Sequence, residues 1–357
     1  MKKINLLCLL GLFSLMAFAQ VPVGYYEAAE GKQGDELRVA LQTIIGNHTV
    51  VSYDALRYLY EYSDTENAAG SKMIDIYSTC GFAYTTSFCS GSCGGGYNRE
   101  HSVPKSWFNE GTPMYSDAFH LYPTSCYVNS YRGNYALGET ATGTKCTTSG
   151  MTQALGKRGD SSFEGFSGVV YEPDDEYKGD LARSYFYMAT RYADICGGWG
   201  NAFNATAANA GLSKYSIALF LKWHRQDPVS QKEKDRNEAV YARQKNRNPF
   251  IDYPDLAEYI WGDNKGQAWY KNNTAIDQLD QSWISVFPNP ATDFIAINAK
   301  DVTVLTYQLL DLSGKILQSG TAVSNDHIAL NQFANGVYIL QVNADNKSIL
   351  QKIIINR

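Results

Sequence analysis

Apolar positions change their period twice along this chain. From Ile4 to Phe18 they run together behind Lys2 and Lys3, and Ala17-Phe18-Ala19 makes a small-x-small cleavage site before Gln20, the layout of an export signal. The run is about 15 residues, short for a membrane span. Residues 1–19 are therefore read as a removable signal peptide rather than an anchor, and no later segment is apolar enough to cross a bilayer. Helical spacing then predicts amphipathic helices near Asp35–Ile45, Tyr53–Tyr62, Pro123–Tyr135, Gly179–Ala193 and Lys214–Arg225. Ser230 followed by Glu233 is a capping box, and the helix it opens is expected to run to about Asn246, with Asn248-Pro249 ending it. Met73–Tyr77 reads as a strand and Gly91–Gly96 as a glycine-serine loop. From Asp263 to Ser282 the chain turns polar, as a linker does. Beyond it the period drops to two in Phe294–Ile297, Thr306–Leu310 and Val337–Val342, with turn-forming residues between them. The expected fold is α+β: a mainly helical domain over 20–262, a linker over 263–282 and a small antiparallel β-sandwich over 283–357.

Composition adds three constraints. The 26 tyrosines suit an exported surface rich in aromatic contacts. Besides Cys8 in the signal there are six cysteines, at 80, 89, 93, 126, 146 and 196; an even number in an exported chain predicts that all six are oxidised, although sequence cannot choose their pairing. Zinc on Cys80, Cys89 and Cys93 is the weaker reading, because no histidine lies near them in sequence. The formal charge is −5, and loss of Lys2 and Lys3 makes it more negative. That excludes a protein coating nucleic acid through bulk charge, but not an enzyme with a local basic cleft and a metal ion.

The chemistry-bearing stretch is Asn98-Arg99-Glu100-His101-Ser102-Val103-Pro104-Lys105-Ser106-Trp107-Phe108, where a carboxylate adjoins a histidine. Alone, a Glu-His pair is as ordinary as any surface pair. A second stretch, Ser116 to Tyr135, holds Asp117, His120, Asn129 and Arg132. If the part after Pro123 is helical, Ser125, Asn129 and Arg132 share a face, offering an amide oxygen for a metal and a guanidinium for a phosphate. Arg236, Arg243 and Arg247 recur along the helix after the capping box; a phosphate-binding stripe and a solvated face paired with Glu233 or Asp235 are equal readings. Asp174-Asp175-Glu176 reads as compensation of a helix dipole, and His224 as a packed histidine.

A strand bearing histidine followed by a helix bearing asparagine is the outline of a His-Me finger, the ββα-metal site. The sequence resembles the endonuclease I family of secreted and periplasmic nucleases. The matching segments are Asn98–Phe108, His120–Pro123, Val128–Tyr135, Lys178–Arg183, Tyr187–Tyr192, Leu221–His224 and Asp227 through to Asp252, in order over residues 35 to 262. The resemblance implies that His101 is the general base and that Glu100 and Asn129 are the side-chain metal ligands; the residues themselves add Arg132 to the catalytic set and Arg99, Arg236, Arg243 and Arg247 as candidate substrate contacts. Mg²⁺ is the implied cofactor, with Ca²⁺ or Mn²⁺ as substitutes. In-line attack by water would leave 5′-phosphate ends on DNA and RNA alike. The sequence departs from the family at Phe119, where many members carry histidine; Asp117 and His120 are then read as supporting groups.

The tail resembles the C-terminal sorting domain of the type IX secretion system through Phe287–Asp293, Asp311–Lys315, Gly336–Leu340 and the ending Lys352-Ile353-Ile354. That implies the type IX machinery as a partner and a secreted or cell-surface location. The expected protein is a monomeric, sugar-non-specific, metal-dependent endonuclease. The alternatives are an extracellular ribonuclease and a surface or adhesion protein whose nuclease-like domain has lost its activity.

Overall fold

The computed structural model describes residues 21–66, 72–83, 89, 93, 96–204, 211–271, 284–299, 304–312, 314–344 and 347–357. The expected signal peptide, most of the Gly91–Gly96 loop and the larger part of the expected linker lie outside the described residues. The chain divides into two compact units, residues 1–271 and 272–357. None of the described helices is long and apolar enough to cross a membrane.

The first unit opens with α1 (Gly34–Gly46) and α2 (Leu56–Ser63), followed by strands β1 (Tyr97–His101) and β2 (Leu121–Ser125) and helix α3 (Cys126–Arg132). Strands β3 (Ala136–Leu137), β4 (Thr144–Lys145), β5 (Gly156–Asp160) and β6 (Val169–Pro173) make a small sheet in the order β3-β6-β5-β4. Then come α4 (Lys178–Arg191), the short pair β7 (Phe203–Asn204) and β8 (Gly211–Leu212), and helices α5 (Lys214–Gln226), α6 (Gln231–Gln244), α7 (Pro249–Asp252) and α8 (Leu256–Ile260). The architecture is mixed, with short sheets among the helices.

Helix α4 is the centre of this unit. Every residue from Lys178 to Thr190 is buried, as a helix packed on all sides requires. Its apolar members are largely aromatic: Phe186 stacks on Trp261 at 4.8 Å, Tyr185 meets Phe220 at 4.5 Å and Tyr187 meets Phe119 at 4.7 Å. Its one buried guanidinium, Arg183, is paid for by Glu233, with nitrogens 2.5 and 2.7 Å from the two carboxylate oxygens. The capping box at Ser230 and Glu233 is present, so that one carboxylate both closes the start of α6 and neutralises α4.

Tyrosines 26, 60, 77, 97, 171, 185, 187 and 192 are core residues, nearly without exposure, contrary to the expectation of a tyrosine-rich surface. Their rings bury large apolar area while many of the hydroxyls find acceptors: Tyr26 donates to Asp252, Tyr77 to Glu100, and Tyr187 and Tyr192 both to Asp117.

Three element expectations are corrected. Met73–Tyr77 is not a strand. Asp75 bends it by accepting from the Tyr77 amide at 2.9 Å, the local side-chain bond that competes with a ladder. The helix expected from Pro123 starts at Cys126, because Pro123 lies in β2, opposite Arg99. In a two-stranded ribbon its missing N–H can face away from the partner strand. The linker begins later than Asp263: Trp269 is buried, its indole donates to Asp255 at 3.0 Å and its backbone exchanges hydrogen bonds with Gly31 and Lys32.

Cysteines correct a fourth. Cys80–Cys93 and Cys89–Cys126 are disulfides, whereas Cys146 and Cys196 are buried free thiols. Full oxidation of all six does not hold.

The second unit is all β. One sheet runs β13 (His327–Ala329), β10 (Phe294–Ala299), β9 (Ile284–Phe287); the other runs β12 (Ile316–Val323), β11 (Val304–Leu310), β14 (Gly336–Ala344), β15 (Lys347–Ile355). Within each sheet the described strands pair antiparallel, and Ala291 makes one isolated parallel bridge to Ile355. Ile295, Ile297, Leu309, Leu340, Val342 and Ile353 share its core. Strand β12 escaped the pattern reading because it is an edge strand with little burial.

Candidate active site

Strands β1 and β2 form an antiparallel ribbon in which Glu100 faces Tyr122 and His101 faces Leu121, and α3 leaves β2 without an intervening loop. This hairpin and helix bring together residues that are about thirty positions apart. Glu100, His101, Asn129 and Arg132 line one cleft of about 140 Å³, together with Tyr53, Arg99 and Lys105.

Glu100 is 3% exposed. Its Oε1 accepts from the Tyr77 hydroxyl at 3.1 Å and lies 3.1 Å from Arg132 Nε. Burial pushes its carboxyl up to about 7, with Arg132 and Tyr77 pulling the other way. Among the described residues Oε2 has no hydrogen-bond partner.

His101 is packed between Tyr53, Tyr115 and His120, with ring centroids 5.8, 5.3 and 5.4 Å away. Its Nε2 is 3.0 Å from the Tyr115 carbonyl oxygen. A carbonyl only accepts, so Nε2 carries the hydrogen and Nδ1 is the basic nitrogen of the neutral ring. Burial, and then the neighbouring His120, hold its pKa down to about 2. The imidazole is therefore neutral throughout the physiological range.

Asn129 is half-buried at the cleft, and its side-chain amide makes no hydrogen bond among the described residues. Arg132, by contrast, is 1% exposed. Its Nη1 donates to the Gly133 carbonyl at 2.8 Å and its Nη2 to the Ser102 carbonyl at 2.6 Å. The guanidinium is a fixed positive charge behind Glu100 rather than a free phosphate clamp. Ser125 is the N-cap residue of α3 and not part of a shared helical face.

The other arginines separate. Arg99 lines the cleft, stacked over Tyr53 at 4.1 Å and 3.4 Å from Asp54. Arg236 is buried: it pairs with Asp64 at 3.0 Å and donates to the carbonyls of Ala118 and Leu121. Arg247 is buried against Asp252 and Glu238. Only Arg243 is exposed. The expected phosphate-binding stripe does not form, because two of its three members are spent on internal carboxylates.

The supporting groups behave as such. Asp117 caps the turn Ala118–His120 and accepts from Tyr187, Tyr192 and Gln244. His120 bonds the Met114 carbonyl at 2.8 Å beneath His101. Phe119 fills core space against Tyr187. His224 bonds the Pro254 carbonyl at 2.9 Å. Asp174 caps the turn before α4, and Asp175 pairs with Lys178 at 2.6 Å.

Sequence reasoning missed Asp75 and Tyr77. Asp75 accepts from Thr124 at 2.5 Å and from the Ser125 amide at 2.9 Å, tying its loop to the junction of β2 and α3. That bond network carries Tyr77 to Glu100. No local pattern marks this role, because the partners that tie it to the site are about fifty positions away.

Among the described residues no cluster of three His, Cys, Asp or Glu side chains could hold a metal ion. At the cleft, Glu100 Oε2 and the Asn129 amide oxygen are hard donors without hydrogen-bond partners among the described residues. Hard oxygen donors in so small a number suit a divalent ion such as Mg²⁺, which keeps several positions for water and phosphate oxygens. The residues present fit that group.

Residues 33–255 match the family model described as Endonuclease I, and residues 285–356 match that described as Secretion system C-terminal sorting domain. The chain is 38% identical over 242 residues to an extracellular ribonuclease of Bacillus amyloliquefaciens, covering 66% of this chain and 78% of that one. It is 35% identical over 241 residues, with the same coverage, to an extracellular ribonuclease of Bacillus subtilis (strain 168). It is 23% identical over 137 residues to an endonuclease-1 of Buchnera aphidicola subsp. Acyrthosiphon pisum, covering 38% of this chain and 44% of that one.

Proposed function

The chain belongs to the endonuclease I family, and from that premise we propose that it hydrolyses phosphodiester bonds with His101 as general base and with Glu100 and Asn129 as ligands of one Mg²⁺ ion. It is a nuclease, and its C-terminal sorting domain addresses it to the exterior or to the cell surface.

The observation that carries the reading is that His101, Glu100 and Asn129 line one cleft although they come from a strand and a separate helix. His101 is held as the neutral tautomer by the Tyr115 carbonyl, so Nδ1 is free to take a proton from a water molecule. Arg132 fixes the Glu100 carboxylate while leaving Oε2 for the ion. Arg99 and Lys105, at the same cleft, supply positive charge for the substrate backbone. When bound, a divalent ion would stabilise the charge that builds on the phosphate and on the departing 3′ oxygen. The strand bearing His101, its partner and the helix bearing Asn129 are on this reading the ββα-metal motif. Because water and not the 2′-hydroxyl is the nucleophile, DNA and RNA are both substrates and the products carry 5′-phosphates.

A second reading, preference for RNA, is favoured by the two relatives named extracellular ribonucleases. Catalytic inactivity is disfavoured by the completeness of the cleft. The test is digestion of plasmid DNA and of single-stranded RNA by the purified protein, with Mg²⁺ and with chelator. Both are expected to be cut with Mg²⁺ and spared with chelator. Cleavage of RNA alone selects the second reading, and intact substrates under both conditions refute hydrolysis.

A further inference from the structure

Helix α2 carries two of the most exposed aromatic side chains of the first unit, Tyr58 at 58% and Tyr62 at 63%. They stand at i and i+4, about 5–6 Å apart at Cβ on one helix face. Neither hydroxyl makes a hydrogen bond among the described residues. Both rings line a groove of about 420 Å³ whose apolar lining comes from Val51, Ala55 and Leu59.

The charge in this groove is also unspent. Arg243 of α6 lines it, and the Arg57 guanidinium lies 5.3 Å from the Tyr58 ring. Among the described residues neither arginine has a carboxylate partner, whereas Arg132, Arg183, Arg225, Arg236 and Arg247 all do. Glu61 is the one acid in the lining. The groove and the active cleft are separate cavities that share one stretch of chain: Tyr53 lines the cleft, while Val51 and Ala55 line the groove. Arg99 on Tyr53 in the cleft and Arg57 near Tyr58 beside the groove repeat one motif, a guanidinium against a tyrosine ring.

We propose that this groove binds an unpaired stretch of the nucleic-acid substrate as it leaves the active cleft, with bases stacked on Tyr58 and Tyr62 and phosphates held by Arg57 and Arg243. The inference rests on the nuclease reading and extends it by naming the substrate form. Stacking on tyrosine needs a base face that a duplex keeps covered, and it tolerates any base. The groove therefore gives the enzyme a preference for single-stranded over double-stranded substrate without reading sequence. It also gives Arg243 the phosphate role that Arg236 and Arg247 have given up.

The test measures binding apart from cleavage. Full-length mature protein in chelator is titrated against a labelled oligothymidylate of about ten nucleotides and against a duplex of the same length, following fluorescence anisotropy. The double variant Tyr58→Ala/Tyr62→Ala is expected to bind the single strand at least ~10-fold more weakly and the duplex nearly as well as wild type. Tyr58→Phe/Tyr62→Phe keeps the rings and is expected to keep the affinity, while Val39→Ala, an exposed change on α1, leaves both titrations unchanged. Arg243→Ala should reduce the salt dependence of single-strand binding. The proposal is overturned if wild type does not bind the strand, if the alanine pair binds it as tightly as wild type, if strand and duplex lose equally, or if the phenylalanine pair is as weak as the alanine pair. Metal-supported cleavage by wild type is scored separately: its absence with stacking intact refutes hydrolysis and leaves the platform standing.

Discussion

Arg132 Nε lies 3.1 Å from Glu100 Oε1, and both side chains are largely buried. The pair forms part of the cleft wall, where the guanidinium also holds the carbonyls of Ser102 and Gly133. Removing the arginine strands a carboxylate in the interior and unpins two backbone segments. Arg132→Ala is expected to cost about 3–5 kcal/mol of unfolding free energy, the range for breaking one side of a buried ion pair. Urea denaturation followed by tryptophan fluorescence measures it. A loss below about 1 kcal/mol would mean that the pair is exposed and screened in solution.

The same burial makes metal binding depend on pH. Glu100 is raised to about 7 by desolvation, so below that pH its carboxyl holds a proton that an incoming cation must displace. The sign is fixed: protons compete with metal on the acid side and not on the alkaline side. The apparent Mg²⁺ dissociation constant should rise ~10-fold for each pH unit below about 7 and level off above it. Cleavage titrated with Mg²⁺ near pH 5.5, 6.5 and 8 (about one unit apart or more) reads this directly. An affinity that does not vary over that range would remove Glu100 from the ligand set.

His101 should show the opposite independence. Its pKa is held down to about 2, so the imidazole is already neutral and contributes no acid limb near its ordinary pKa of about 6.5. His101→Ala is expected to lower turnover at least ~10²-fold while the Mg²⁺ affinity stays within about twofold. Wild-type turnover in this variant would falsify the base assignment.

What could be read in the sequence was what a single element contains. The Ser230 capping box, the alternation of β11 and the apolar face of α1 are each set by residues within one or two turns of one another, and each is present in the structure. The Glu100-His101 segment and the helix bearing Asn129 were likewise found. What could not be read was the partner of a long side chain. Arg236 meets Asp64 across 172 positions, and Trp269 meets Asp255 only because the chain after α8 folds back. Asp75 bends an apolar run through its local bond to the Tyr77 amide, but the contacts that bring that bend to the site, with Thr124 and Ser125, lie about fifty positions away. Periodicity reports which face is buried, and not whether a buried guanidinium has already found its carboxylate.

The disulfide Cys89–Cys126 gives a last prediction that joins stability to the site. Cys126 is the first residue of α3, the helix that carries Asn129 to the cleft, and the bond closes a loop of 37 residues containing β1 and β2. Its loss should act twice. The unfolded chain gains the freedom of an open loop, worth about 2–4 kcal/mol for a bridge of this kind, and the start of α3 loses its covalent anchor near Gly96, whose carbonyl lies 3.9 Å from Cys126 Sγ. Cys126→Ser paired with Cys89→Ser is therefore expected to lower the unfolding midpoint and to weaken Mg²⁺ binding together. The matching double change at the free thiols, Cys146→Ser with Cys196→Ser, should leave Mg²⁺ affinity alone, because neither residue lines the cleft. Alkylation of denatured wild type before and after reduction should count two thiols and then six in the mature protein. Equal Mg²⁺ affinities in the two double variants would show that β2 alone positions α3, without the covalent anchor.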